Sequence, residues 1–272
     1  MKALGPIPPG FEADADGQLL IGGRNADLLV GEAGGTPLFV YDSRRIAHQV
    51  ARFRAAFPSE VALHYAAKAN PYAPLLEAMA AMVDGFDVAS AGELGRVAHL
   101  GVPISFAGPG KREQELETAI RAGVTINLES EGEAERALAI CVREGLTAKL
   151  AVRVNPPFGL KGSGQKMGGL PSQFGVDHDR APALVRRIIE AGANWQGLHI
   201  FAGSQALHAE ALIELQHETV MLAASISEDA GRAPPHVNLG GGFGIPYFAK
   251  DQPLDIEGVG TALGKTLANC PK

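Results

Sequence analysis

Cysteine is nearly absent from this chain. Cys141 and Cys270 are too few for a disulfide framework and lie too far apart for a metal-ligand spacing. Cys141 falls in a helical pattern and reads as a core residue, and a reducing, cytoplasmic compartment is the default expectation. Long apolar runs are missing too. The chain is 46% hydrophobic, yet no stretch approaches the roughly 18 residues of a membrane span. The opening MKALGPIPPGFEADADGQ lacks the positive-then-apolar order of a signal peptide. There is no block of basic charge, and the net charge of −6 leaves no electrostatic footprint for nucleic acid. Internal repeats and low-complexity tracts are absent, since the 34 glycines and 18 prolines are scattered as punctuation. No membrane and no nucleic-acid partner is therefore expected.

What is present is a chain of 272 residues, enough for one large domain, or one domain plus a fragment of another. Residues 61–67 (VALHYAA) are apolar and end at a turn signal, Asn70-Pro71. Alternation places His64, Ala66 and Lys68 on one face, with small alanines leaving room around the amine. A lysine at the carboxyl end of a strand can be desolvated, lose its proton and attack an aldehyde. Considered alone, such a lysine is more often a solvated surface residue.

Strands and helices alternate from there. Strand patterns fall at 61–67, 86–89, 104–107, 124–128, 148–154, 197–202 and 236–239. Helical patterns fall at 73–83, 91–100, 111–122, 131–144, 179–191, 208–230 and about 254–268. Ser90 and Ser130 are placed as N-caps, Ser130 with Glu133 as a capping box, and Gly101, Gly123 and Gly145 stop their helices. Ahead of this run, residues 1–36 read as irregular apart from a short strand at 18–21. Residues 36–41 read as a second short strand, with Asp42 or Ser43 capping a helix to about Phe57. Successive βα units imply a parallel sheet with helices outside. The expected fold is an α/β (β/α)₈ TIM barrel showing seven of its eight strands, and an open doubly wound sheet is the alternative. The barrel is preferred because chemically interesting residues follow many different strands, and a barrel gathers those ends at one mouth.

Those residues are Lys68 after the first strand, then Asp87, Ser90 and Glu93 after the second. Arg153 and Asn155 end the fifth strand, and His199, Phe201 and Gly203-Ser204-Gln205 end the sixth. The seventh runs into Gly240-Gly241-Gly242-Phe243-Gly244. Four glycines in five positions can turn successive backbone N–H groups toward a phosphate, although a flexible turn has the same composition. Ser204 could add a hydroxyl to such a cradle. A lysine and a phosphate cradle at one mouth suit a phosphorylated aldehyde held as a Schiff base. Pyridoxal phosphate fits, and so does the substrate of a lysine-imine sugar-phosphate aldolase.

The motifs HYAAKAN, FDVASAGEL, AVRVNP, QFGVD, GLHIFAGSQ and NLGGGFGIPY, in this order, resemble the fold-type III pyridoxal-phosphate decarboxylases. These are the diaminopimelate, ornithine, lysine and arginine decarboxylases of the alanine-racemase-like barrel. The resemblance runs from about Gly17 to the chain end, and LKGSGQKMGG followed by QFGVD, together with GLHIFAGSQ, is most similar to the exosortase A system-associated branch. It implies that Lys68 holds the cofactor, that Asp87, Glu93 and Arg153 lie near it, and that Ser204 with Gly240, Gly241, Gly242 and Gly244 cradles its phosphate. Phe201 stands where most of the family has a histidine stacked on the pyridine ring, and His199 is a candidate substitute with a catalytic role.

The resemblance further implies an eighth strand with a glutamate for the pyridine nitrogen, followed by a β-domain that completes the site across a homodimer. Neither is in this sequence, so a truncated form is expected. Residues 1–36 are then a segment of that β-domain and residues 37–272 the pyridoxal-binding barrel. The implied reaction is decarboxylation of an amino acid of the diaminopimelate, ornithine or lysine kind, with little turnover expected from this length of chain. A racemase, a cofactor carrier and a non-catalytic homologue on the same barrel are the alternatives.

Overall fold

The computed structural model describes residues 11–159, 165–166, 172–248 and 250–270. The described N-terminal part is ordered, where the sequence suggested irregular chain. Strands β1 (Phe11–Ala13), β2 (Leu19–Ile21) and β3 (Arg24–Asn25) form a small antiparallel sheet, and α1 (Ala26–Ala33) follows directly. The Asp14 carboxylate shapes the β1–β2 turn by accepting from the N–H groups of Asp16 and Gln18, at 3.0 and 2.8 Å. The missed helix has ordinary signals. Asn25 caps it by accepting from Asp27 N–H, and Gly34 ends it in the left-handed conformation.

The strand expected at 36–41 does not form. Among the described residues no strand pairs with this segment, and Phe39 within it is 82% exposed. Asp42 then caps α2 (Ser43–Ala56), its side chain accepting from Arg44 N–H.

All seven expected barrel strands form. They are β4 (His64–Ala66), β5 (Gly85–Val88), β6 (Ile104–Phe106), β7 (Thr125–Leu128), β8 (Lys149–Asn155), β11 (Asn194–Ile200) and β13 (His236–Asn238). They pair in parallel in that spatial order, which is also their order along the chain. Strand β10 (Val176–Asp177) adds to the sheet by pairing with β8, and β9 (Gln165–Lys166) pairs with β12 (Gly203–Ser204) in a separate two-stranded sheet. Helices α3 (Ala73–Ala80), α4 (Ala91–Val97), α5 (Glu113–Arg121), α6 (Glu131–Glu144), α7 (Ala181–Glu190), α8 (Ala209–Ala230) and α9 (Ile256–Ala268) lie between and after the strands.

Alternation along each strand gives the sheet two faces. Phe86, Phe106, Ile126, Leu128, Leu150 and Ile200 are fully buried in the main core beneath the helices. The opposite face carries the polar residues described below. A second core, with Phe57, Leu212, Val259 and Leu263, joins α2, α8 and α9. Helix α9 lies so close to α2 that a Cβ on Gly260 would fall 2.0 Å from the Ala56 carbonyl oxygen. Since α2 precedes the first barrel strand and α9 follows the last, this contact curls the sheet into an open barrel. Among the described residues β4 and β13 do not pair with each other.

Candidate active site

The carboxyl ends of the strands collect most of the expected residues. Ala66, Asp87 and Ser105 are register partners across β4, β5 and β6, and Arg153, His199 and Asn238 across β8, β11 and β13. On β7, Asn127 donates to the Ser105 hydroxyl at 2.7 Å. These polar side chains make the floor of the barrel mouth.

His199 is buried there, and its Nδ1 has no hydrogen-bond partner among the described residues. Burial, followed by the positive charge of Arg153, lowers its pKa to about 3, while Asp87 pulls the other way. The imidazole is therefore neutral at physiological pH. Burial would raise the Asp87 carboxyl, but His64, His199 and Ser105 together outweigh it and hold the group below the ordinary aspartate range. His64 Nδ1 lies 3.8 Å from Asp87 Oδ1, beyond hydrogen-bonding distance, so that attraction is through space. His64 finds room because its register partner is Gly85, where a Cβ would fall 2.7 Å from the ring.

Lys68 does not continue strand β4. Residues Ala67–Ala69 form one 3₁₀ turn, so the alternation that put His64, Ala66 and Lys68 on one face ends at Ala66. The lysine is exposed rather than desolvated, because β4 is an edge strand, but its charge still reaches His199. Ser90 caps α4 as expected. Its hydroxyl accepts from Glu93 N–H at 3.2 Å, and the Glu93 carboxylate accepts from Ala89 N–H at 2.8 Å.

The glycine run is a shaped loop. Asn238 Oδ1 accepts from Gly240 N–H at 2.8 Å. Gly240 and Gly242 have φ of 69° and 89°, a conformation that glycine adopts without strain. Ala206 N–H donates to the Gly242 carbonyl at 2.9 Å and its carbonyl accepts from Gly244 N–H at 2.8 Å, tying the loop to the 203–206 segment. Phe243 anchors the loop edge-on against Phe53 and Phe57, with ring centroids 5.5 and 5.8 Å away. Gly240 and Gly244 thus use their N–H groups internally, whereas those of Gly241 and Gly242 make no hydrogen bond among the described residues. Phe201 packs against Gly240, where a Cβ would fall 2.3 Å from its ring. Ser204 lies in the β12–β9 ladder beside Gln205, which holds a φ of 61°.

Sequence reasoning passed over a buried ionic group behind the floor. Glu129, at the end of β7, accepts from Arg153 Nη1 at 3.0 and 3.1 Å, and the guanidinium lies 4.9 Å from the Phe174 ring centre. Lys111 pairs with Glu133 at 2.6 Å with both side chains buried. Burial pushes the Glu133 carboxyl up, and Lys111 opposes that push. The expected capping box is half formed. Ser130 accepts from Glu133 N–H, but the Glu133 carboxylate accepts from Glu129 N–H, one residue before the cap. One signal was available: Ser105 and Asn127 are polar positions inside apolar strands, which need buried partners. Nothing comparable marked Lys111. Asn155 donates to Asp177 at 3.0 Å on the β8–β10 side.

Residues 43–271 match the family profile described as pyridoxal-dependent decarboxylase, pyridoxal binding domain. The L-glutamyl-[BtrI acyl-carrier protein] decarboxylase of Niallia circulans is 34% identical over 226 residues, 81% of this chain and 53% of that protein. The diaminopimelate decarboxylase of Methanothermobacter thermautotrophicus is 35% identical over 260 residues, 92% of this chain and 59% of that protein. Among solved structures, diaminopimelate decarboxylase from M. jannaschii in complex with L-lysine superposes with a TM-score of 0.85 at 29% identity, covering 96% of this chain and 63% of that one. The chain spans between half and two thirds of the length of these relatives.

Proposed function

The chain belongs to the pyridoxal-dependent decarboxylase family, and we propose from that membership that it is the cofactor-binding part of an amino-acid decarboxylase. One observation carries the reading. The segment from His199 to Ser204 has the charges of Lys68, Asp87 and Arg153 acting on its first residue, and the glycine loop packed on Phe201. The residues fit pyridoxal phosphate. The N–H groups of Gly241 and Gly242, with the Ser204 hydroxyl, supply donors for a phosphate. Lys68 would supply the amine to tether the aldehyde, and Phe201 would supply an apolar side chain beside the ring. His199 brings a buried neutral imidazole whose Nδ1 lacks a protein partner.

Bound pyridoxal phosphate supplies an electron sink for the charge left when carbon dioxide departs from a substrate carbon. The protein's part is to bind, orient and set charge. Arg153 is paired with Glu129, Asp87 stays ionised, and His199 stays neutral and offers an uncharged polar atom at the floor. Glu93 fixes the start of α4, and through it the strand end that carries Asp87.

The proposed substrate is an α-amino acid of the diaminopimelate, ornithine or lysine kind, in a cytoplasmic protein that forms a homodimer at full length. Service in an exopolysaccharide or exosortase setting belongs to the same proposal. So does the division of the chain into residues 1–36, part of a β-domain, and the barrel of 37–272.

Titration with pyridoxal phosphate, followed by visible absorbance and borohydride reduction, tests the site. The expected result is a visible band, and after reduction a stable adduct on the peptide carrying Lys68. Both should be missing in Lys68→Ala. Identical spectra for the two proteins would remove Lys68 from the site. Carbon dioxide release compared among diaminopimelate, lysine and ornithine then ranks the substrates.

A further inference from the structure

The ionic group behind Arg153 supports an inference that deepens the cofactor-site reading and rests on it. Lys111 lies in the loop between β6 and α5 and is 4% exposed. Its ammonium has three protons and places all of them: on the Gly108 carbonyl at 2.8 Å, the Asn127 carbonyl at 2.8 Å and Glu133 Oε1 at 2.6 Å. Glu133 Oε2 accepts from Glu129 N–H at 3.1 Å. The Glu129 carboxylate accepts from Gly108 N–H and from Arg153. Gly108 therefore gives its carbonyl to Lys111 and its N–H to Glu129, which closes a ring of hydrogen bonds through Lys111, Glu133, Glu129 and Gly108. Only glycine suits that corner, since φ is 126° and a Cβ would fall 3.2 Å from the Ala89 carbonyl oxygen.

Two ion pairs with all four side chains buried are an expensive way to fill a core. Apolar residues of the same volume commonly match or exceed such pairs in stability. What the ring does provide is orientation: it draws on the β6 loop, the end of β7 and the first turn of α6, and Glu129 is the member that grips Arg153. We propose that Lys111 is a positioning residue for the cofactor site: acting through Glu133 and Glu129, it fixes where the Arg153 guanidinium sits on the barrel floor.

His199 can report that position, because Arg153 is its register partner on β8. The other charged groups acting on the imidazole are Asp87 from β5, Lys111 from the β6–α5 loop and Lys68 from the turn after β4. The experiment follows the His199 ring by NMR titration in the cofactor-free chain, with thermal melting as the check on folding. Lys111→Arg keeps the charge, but its planar fork cannot meet three acceptors that converge on one point. Lys111→Met/Glu133→Met removes the pair with no net change of charge and strands no buried ion. Lys111→Arg is expected to shift the His199 protonation equilibrium about tenfold toward the protonated form, since the charge at 111 is kept and only a released guanidinium repels the ring less; the double methionine variant, which also removes the direct repulsion of Lys111, is expected to shift it further. A folded variant that titrates like the wild type would overturn the proposal. So would the failure of both variants to fold, which would make Lys111 a core residue. The cofactor reading fails separately, if the wild type gives no visible band with pyridoxal phosphate.

Discussion

At Gly240 two constraints coincide. The backbone sits at φ 69°, and a Cβ there would meet the Phe201 ring at 2.3 Å. Gly240→Ala is expected to cost about 1–3 kcal/mol, from left-handed strain together with displacement of a packed ring. Urea unfolding would read that loss, and pyridoxal phosphate titration should show weakened binding, because Phe201 and the loop move together. His199 gives a pH prediction. Its folded pKa of about 3 lies below the ordinary histidine value of 6.5, so the unfolded chain takes up a proton first as pH falls. The stability from burying it neutral is complete above that ordinary value and drains away toward pH 3, at up to about 1.4 kcal/mol per pH unit. Asp87, held below its own ordinary range, adds a loss of the same sign only in more acidic solution. His199→Gln should flatten the decline of unfolding free energy between about pH 6 and pH 4. A variant with the wild-type slope would mean that the imidazole is already hydrated or charged in the folded protein.

Among the elements, α9 rests on a glycine contact that no larger residue could make. Gly260 touches the Ala56 carbonyl across the α2–α9 crossing, and the Arg52–Glu257 pair spans the same crossing at 2.8 Å but is exposed. Close packing outweighs a solvent-screened ion pair. Gly260→Val should therefore separate the helices and lower stability by about 1–3 kcal/mol. Glu257→Ala should leave the thermal midpoint within experimental error. The opposite ranking in paired melts would show that the barrel is curled by charge and not by contact.

Elements were also the scale at which the sequence was most legible. Alternation and turn residues located all seven barrel strands, because each has an apolar face against helices and a glycine or proline near its end. They overran the strand ends: 61–67 shrank to His64–Ala66, since the backbone turns before Lys68. They also invented a strand at 36–41, where the β-forming residues Leu38-Phe39-Val40-Tyr41 find no neighbour, and pairing is not a local property. The site was legible where its residues form contiguous motifs, as in Gly240–Gly244. It was illegible where the partner lies in another βα unit, as with Lys111 on Asn127 and Glu133. Nothing local distinguishes that lysine from a solvated one.

For the molecule as a whole, the question is how far the N-terminal piece and the barrel depend on each other. No residue of α1 is buried, and Phe11, Leu19 and Leu28 are 40%, 46% and 66% exposed. The β2–β3 turn meets the barrel where Arg44 donates to the Gly22 carbonyl. Alpha-1 also forms one wall of a cleft of about 550 Å³, whose other walls come from the 38–43 segment and α3. The buried members of both barrel cores, by contrast, begin at Phe57, with Ile46 and Val50 packed against them. Residues 37–272 should accordingly fold without the first 36. Deletion is expected to lower the thermal midpoint by less than about 4 °C, the shift that roughly 1 kcal/mol produces in a domain of this size. A hydrophobic dye should bind more strongly to the shortened chain, because the cleft lined by Leu29, Ile46 and Leu75 loses its α1 wall. Loss of cooperative unfolding in the shortened chain would instead make residues 1–36 an integral part of the barrel, and the division at residue 36 would have to be abandoned.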